Sequence, residues 1–290
     1  MTLPAIGALR ERWPSGHIEI LGYPHIAELA NGRQYADAVR SIEARAMAGF
    51  FVPNGTLDPA LMEYFGSFQL VISYLFDPDE IFVANVRRCG VRQLVQASPR
   101  PSELWAAEHY CKPLESLAIY VDAPQPRVFP NEDDRRDAER FFDGMEDGKV
   151  VAVHPGSGSD RKNWPVEKFA AVCRWLVDEM SAQLVMVRGE ADEVPGRRLL
   201  EALGSRPVRV AEGLQLPELG AVLERCALFL GNDSGITHLA VAVTPPTIAL
   251  FGPVSQWVWE PRGERVCVVK FGGEDVAAVR EAIGKLWSAV

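Results

Sequence analysis

The sequence predicts an α/β protein of two domains, each built around a parallel sheet. Three observations predict it. Short apolar runs alternate with amphipathic stretches along the whole chain. A polar segment bounded by glycine and proline interrupts that alternation near the middle. The 290 residues suffice for two domains, each with its own core.

In the first half, Ile18–Tyr23, Leu70–Ser73 and Arg92–Gln96 read as strands. The helical pattern Asp79–Arg88 lies between the last two, with Ile81, Val83 and Val86 as its apolar positions. From Pro124 to Gly148 the character changes: three prolines, a charged helix around Glu132–Asp143, then a glycine-bounded polar stretch. This segment predicts a domain boundary between residues 146 and 147.

The second half shows a repeating β-α pattern, which predicts a doubly wound sheet. Val150–Val153 is a continuous apolar strand, as expected when both faces are covered. Helix Pro165–Met180 follows, with proline suited to a first helical position. Strand Gln183–Val187 precedes a helix over Val194–Leu203. Helix Leu216–Arg225 leads into strand Leu228–Leu230, and helix Ser234–Val243 into strand Thr247–Phe251. The closing stretch Val276–Ser288 carries Val276, Val279, Ile283 and Leu286 on one helical face.

Composition excludes several classes. Apolar residues make up 48% and charged residues 24%, as in an ordinary globular chain. A formal net charge of -9 is a poor match for nucleic acid or for an extended anionic surface. Five cysteines, with no C-x-x-C pair, argue against a disulfide framework or a zinc site. No apolar stretch reaches the length of a membrane span. The residues Met1–Trp13 carry no signal-peptide core, so a cytoplasmic location is expected.

Three strand-to-helix or strand-to-turn segments carry the chemistry. The first is His154-Pro155-Gly156-Ser157-Gly158-Ser159-Asp160-Arg161-Lys162-Asn163-Trp164-Pro165. Gly156 and Gly158 allow close backbone approach, Ser157 and Ser159 offer hydroxyls, and Lys162 offers a point charge for a phosphate. It matches neither standard glycine-rich fingerprint, and a solvated surface loop is the competing reading. The second is Gly231-Asn232-Asp233-Ser234-Gly235-Ile236-Thr237-His238-Leu239-Ala240. Asp233 or Ser234 suits a helix N-cap, and the helix start is a ready anion site, fit for a diphosphate. Thr237 and His238 lie on its first turn. Against this, Asp233 is read as a cap alone and His238 as a packed core residue. The third is Leu250-Phe251-Gly252-Pro253 with Trp257 and Trp259, whose tryptophans are read as packing.

In that order and spacing, the three segments resemble the heptosyltransferases that build the lipopolysaccharide inner core, glycosyltransferase family 9. Ala106-Ala107-Glu108-His109-Tyr110 adds to the likeness, which is strong in the second half and weak in the first. The resemblance implies a GT-B fold, two Rossmann-like domains facing a cleft. It implies inverting, metal-independent transfer from a nucleotide-diphosphate sugar, typically ADP-heptose, to a lipid-linked or oligosaccharide core acceptor at the inner membrane surface, without a cofactor. The site residues carried over are Lys162, Asp233 and His238 as catalytic, and Ser157, Gly158, Lys162, Glu193, Asp233, Ser234, Gly235 and His238 as donor-binding. Glu193 corresponds to an acid near the nucleotide ribose. Fixed cations and N–H donors suit the charge that builds on a departing diphosphate. The second half shows no Asp-x-Asp cluster at a strand end to hold a metal.

The chain departs from the family at its start. Members open with an apolar strand and a Gly-Asp turn before a T-x-P-A helix start, whereas here Thr2-Leu3-Pro4-Ala5-Ile6 comes first. That aspartate is the family's general base. The first domain is therefore expected to lack its first strand, and the 290-residue chain to transfer sugar poorly. An inactive nucleotide-sugar binder and a GT-B nucleotide-sugar epimerase are the alternatives, and the final helix is expected to pack back on the first domain.

Overall fold

A computed structural model describes residues 1–189, 192–272 and 275–287. The chain divides into two compact units, Met1–Pro124 and Gln125–Val290.

The second unit holds one six-stranded sheet, parallel throughout. To keep one numbering along the chain, its strands are β5 (Val150–His154), β6 (Gln183–Arg188), β7 (Val208–Glu212), β8 (Leu228–Asn232), β9 (Thr247–Phe251) and β10 (Val266–Lys270). Their order is β10-β9-β8-β5-β6-β7. In order of appearance this is 3-2-1-4-5-6, the doubly wound arrangement. Strands β8 and β9 are buried at every residue, so alternation is absent from them. The edge strands β7 and β10 are half-buried and mix charge into short runs, which is why the apolar pattern does not announce them.

The helices of this unit are α6 (Glu132–Phe142), α7 (Val166–Asp178), α8 (Glu193–Leu203), α9 (Leu216–Glu224), α10 (Gly235–Val243) and α11 (Val276–Trp287). Helix α7 starts one residue after Pro165, which serves as its N-cap. On one face of the sheet Phe169, Cys173 and Leu176 of α7 join Leu184 and Leu230 in a common core. Val279 and Ile283 of α11, both fully buried, belong to that same core. The final helix is thus an integral part of the second unit's core. The expected end of that helix, Ser288, lies outside the described residues.

The division between units falls at Pro124/Gln125, earlier than the expected 146/147. The reason is α6. Its sequence is almost wholly charged, so it reads as linker, yet it packs on α9. Arg135 donates from Nε and Nη2 to both carboxylate oxygens of Glu224, at 2.9 and 3.1 Å. Upstream, Val128 N donates to Ala242 O at 3.0 Å. A capping box between Asn131 and Asp134 fixes where α6 begins.

The first unit holds two separate parallel pairs. Strand β1 (Glu19–Gly22) pairs with β2 (Ala38–Ser41), and β3 (Leu70–Ser73) with β4 (Gln93–Gln96). Its helices are α1 (Leu3–Arg12), α2 (Pro24–Ala27), α3 (Pro59–Gly66), α4 (Ile81–Arg88) and α5 (Ala106–Cys111). An aromatic core of Phe50, Phe65 and Phe82 lies beside Met47 and Val86. A second cluster joins Ala5 of α1 to Cys111, Leu114 and Ile119. In the doubly wound order a strand would stand between β1 and β3. Among the described residues none does, and each pair keeps an unpaired edge there.

Candidate functional site

Ligands of doubly wound sheets bind beyond the carboxyl ends of the strands, where the strand order reverses. In the second unit that point lies between β5 and β8, which pair directly with His154 opposite Gly231. The loop after β5, residues 155–165, and the Asp233–Ser234 turn after β8 both open there.

Asn232 ties the two loops together. It is fully buried at the end of β8. Its Nδ2 donates to Pro155 O at 2.8 Å, and its Oδ1 accepts from Trp164 N at 2.9 Å. One side chain thereby clamps both ends of the β5–α7 loop. Inside that loop the Ser157 hydroxyl is taken up internally: it donates toward Asn163 Oδ1 and Ser159 O, at 2.7 and 2.8 Å. Ser157 therefore shapes the loop. Gly158 stands exposed, with open space where a Cβ would be.

Lys162 ends the short 3₁₀ turn Asp160–Lys162 and reaches across to the second loop. Its Nζ lies 2.9 Å from Asp233 Oδ2. The Asp233 side chain is 5% exposed, that of Lys162 33%. Asp233 is itself pinned, since its backbone N donates to Leu250 O at 3.0 Å. At the end of β10, desolvation lowers the Lys270 ammonium pKa while the Asp233 charge opposes that shift. Lys270 is thus a second cation within the field of the same carboxylate.

Helix α10 begins beside this pair. Ser234 is its N-cap, and Ser234 Oγ accepts from Thr237 N at 3.3 Å. Asp233 is accordingly the acidic partner of Lys162, and the capping falls to Ser234. Gly235 is exposed, with nothing within 4 Å of a notional Cβ, so an anion has clear access to the first-turn amides. Thr237 turns inward, its hydroxyl donating to Asn232 O at 2.5 Å. His238 is half-buried on the same turn. Desolvation, with Lys162 adding to it and Asp233 opposing, brings its pKa down to about 4.

His154, at the end of β5, is 1% exposed. Its Nε2 lies 2.9 Å from Asp192 Oδ2 and its Nδ1 3.2 Å from Ser234 Oγ. Asp192 also fills the space over Gly156, where a Cβ would overlap its carboxylate. Glu193, one residue on, points elsewhere: it is exposed and pairs with Arg197 at 3.3 Å. The structure therefore brings Lys162, Asp233, Ser234, Gly235 and His238 together, and Glu193 stands outside that group.

Sequence reasoning gave no role to Asn232, His154, Asp192 or Lys270. The first two carried a signal, being polar residues that close otherwise apolar strands. Asp192 carried none that separates it from Glu193 beside it. In the third segment, Gly252 is held tight, a Cβ there meeting the Phe271 ring at 2.6 Å. Trp257 is 51% exposed and thus not a packing residue, against expectation. In the first unit, His109 Nε2 lies 2.8 Å from Ser98 O and Tyr110 Oη donates to Pro99 O at 2.8 Å, so both secure the β4–α5 loop.

The fold and this site define a doubly wound α/β protein whose two polar loops meet at the switch point of its sheet. Residues 85–282 match the model of glycosyltransferase family 9 (heptosyltransferase), and the chain belongs to that family. It is 26% identical over 293 aligned positions to lipopolysaccharide heptosyltransferase 3 of Escherichia coli K12, across 92% of this chain and 82% of that one. Among solved structures, a family 9 glycosyltransferase from Veillonella parvula superposes with TM-score 0.83 at 20% identity, over 100% of this chain and 93% of the other. The E. coli ADP-heptose lipopolysaccharide heptosyltransferase II superposes with TM-score 0.76 at 17% identity, over 99% and 94%. These likenesses show the fold, α/β of the GT-B type.

Proposed function

We propose that this glycosyltransferase moves heptose from ADP-heptose to a lipopolysaccharide core acceptor, with inversion at the anomeric carbon. The observation that carries the reading is the Lys162–Asp233 pair set against the open start of α10. The donor diphosphate lies between the Gly156–Lys162 loop and the first turn of α10. Lys162 swings from Asp233 to a phosphate oxygen, and the amides of the first turn meet the other phosphate. The acceptor hydroxyl attacks the anomeric carbon from the face opposite the diphosphate and gives up its proton to water. The bond from that carbon to the phosphate oxygen breaks, and its electron pair stays on ADP. Charge grows on the diphosphate as the bond breaks, so a cation and N–H groups already in place stabilise the transition state more than the ground state. The acceptor is lipid-linked or an oligosaccharide, which places the enzyme at the cytoplasmic face of the inner membrane.

The test is ADP release from ADP-heptose with and without a heptose-accepting core oligosaccharide, with the sugar product identified. Acceptor-dependent release with a new glycosidic bond supports the reading. Isomerised donor without acceptor identifies an epimerase instead. Donor binding with neither product identifies a nucleotide-sugar binder.

A further inference from the structure

We infer that His154 and Asp192 are positioning residues of the donor site, acting through Ser234; the inference rests on the diphosphate seat proposed above. The Asp192 carboxylate can only accept, so the hydrogen on His154 sits on Nε2 and points at Asp192 Oδ2, 2.9 Å away. That leaves Nδ1 on the other side of the ring. The group facing it is Ser234 Oγ, at 3.2 Å. Thr237 has spent its only hydroxyl hydrogen on Asn232 O, so it does not donate to Ser234. Ser234 Oγ therefore stands among three partners, His154 Nδ1 at 3.2 Å, Thr237 Oγ1 at 3.3 Å and the Thr237 amide at 3.3 Å, and His154 is the one that ties it to another loop.

The relay joins three loops. Asp192 sits just after β6, with its backbone N donating to Gly189 O at 3.0 Å. Its carboxylate covers Gly156 in the loop after β5, and His154 carries the contact to the turn after β8. The ring and the acid behind Ser234 are both buried: His154 is 1% and Asp192 8% exposed. A buried imidazole held at both nitrogens has one orientation, and so has the hydroxyl it holds. What that orientation sets is the N-cap of α10, and with it the direction of the free amides that receive the diphosphate. Capping alone requires no buried histidine and aspartate behind the serine; a fixed aim for the first turn does.

The experiment is a double-mutant cycle on ADP affinity, read by calorimetry, with His154→Gln and Ser234→Ala. Glutamine reaches the Nε2 position and can still satisfy Asp192, but it offers nothing at Nδ1. His154→Gln is expected to weaken ADP binding roughly tenfold in the parent, and less than twofold when Ser234 is already alanine. Equal losses in both backgrounds would overturn the positioning role while leaving the diphosphate seat intact. Hydrogen exchange at the Thr237 amide, without ligand, separates the two claims: His154→Gln should speed it several-fold over the parent. If the parent binds no ADP, the seat is wrong, and the exchange rate alone decides whether His154 holds Ser234. An unchanged rate overturns that as well.

Discussion

Replacing Lys162 by methionine separates two effects that the structure superimposes. Methionine keeps most of the stem and removes the charge. In the absence of ligand, Asp233 then loses the cation 2.9 Å from its Oδ2, with its side chain still only 5% exposed. Breaking a fully buried pair costs about 3–5 kcal/mol. Lys162 is one-third exposed, so water screens the pair and the loss is discounted to about 1–2 kcal/mol. For a unit of this size that lowers the Tm by a few degrees. The ligand effect is separate. A charge-assisted contact to phosphate is worth about 1.5–3 kcal/mol, so the ADP Kd should rise roughly 10- to 150-fold. The two effects part company in the double variant K162M/D233N. Neutralising Asp233 removes the uncompensated carboxylate, so thermal stability should return while affinity stays low. Calorimetry with ADP and a melting curve on each variant give both readouts. Undiminished affinity in K162M, beside a parent that binds, would refute the seat; affinity regained in the double variant would show that Lys162 merely neutralises Asp233.

Two further perturbations follow from the same geometry. Gly156→Ala drives a methyl group into the Asp192 carboxylate, so it should cost about 2–4 kcal/mol in urea unfolding, through overpacking and the loss of the His154 contact; a change under about 0.5 kcal/mol would show that the loop yields freely. His238 has its pKa lowered from 6.5 to about 4 in the folded chain, chiefly by desolvation, so the unfolded chain takes up its proton first on acidification. Its contribution to stability is complete above pH 6.5 and is lost as the pH falls toward 4, and His238→Gln should flatten that part of the stability–pH curve; an unaltered slope would place the acid sensitivity in other groups.

The second unit was legible because strands such as β8 and β9 carry continuous apolar runs, each followed by a glycine-bearing turn. A continuous run such as Leu228–Leu230 needs no partner to be recognised, and the residues that follow it are fixed by what a strand-to-helix turn demands. What escaped was decided by long-range contact. Strands β7 and β10 exist because they add to the edges of a sheet already formed, and their own residues carry charge at Arg209 and Lys270. Helix α6 is polar enough to stand in water and is drawn into the second unit by the Arg135–Glu224 pair and by its packing on α9. Asp192 differs from Glu193 only in the face of the helix start on which it falls, and a pair of adjacent acids does not reveal which one turns inward.

Lys162 and Asp233 also bear on why the proposed diphosphate seat should carry a buried acid at all. A carboxylate beside the seat repels the ligand, so its presence seems to work against binding. Its effect before binding is the opposite. An ammonium on a four-carbon stem loses about 2 kcal/mol of rotamer entropy when a phosphate fixes it. Asp233 has already restricted that stem, and Leu250 and Asn232 have already restricted the loops that carry both groups. Before the donor arrives, the ammonium is therefore held near its seat in one arrangement. The remaining cost is to part Lys162 from Asp233, and this becomes smallest where the diphosphate charge is greatest. As the anomeric carbon–oxygen bond breaks, the leaving group grows more negative and competes better for Lys162 than the intact donor does. A pair that resists the ground state more than the transition state favours the reaction over mere binding.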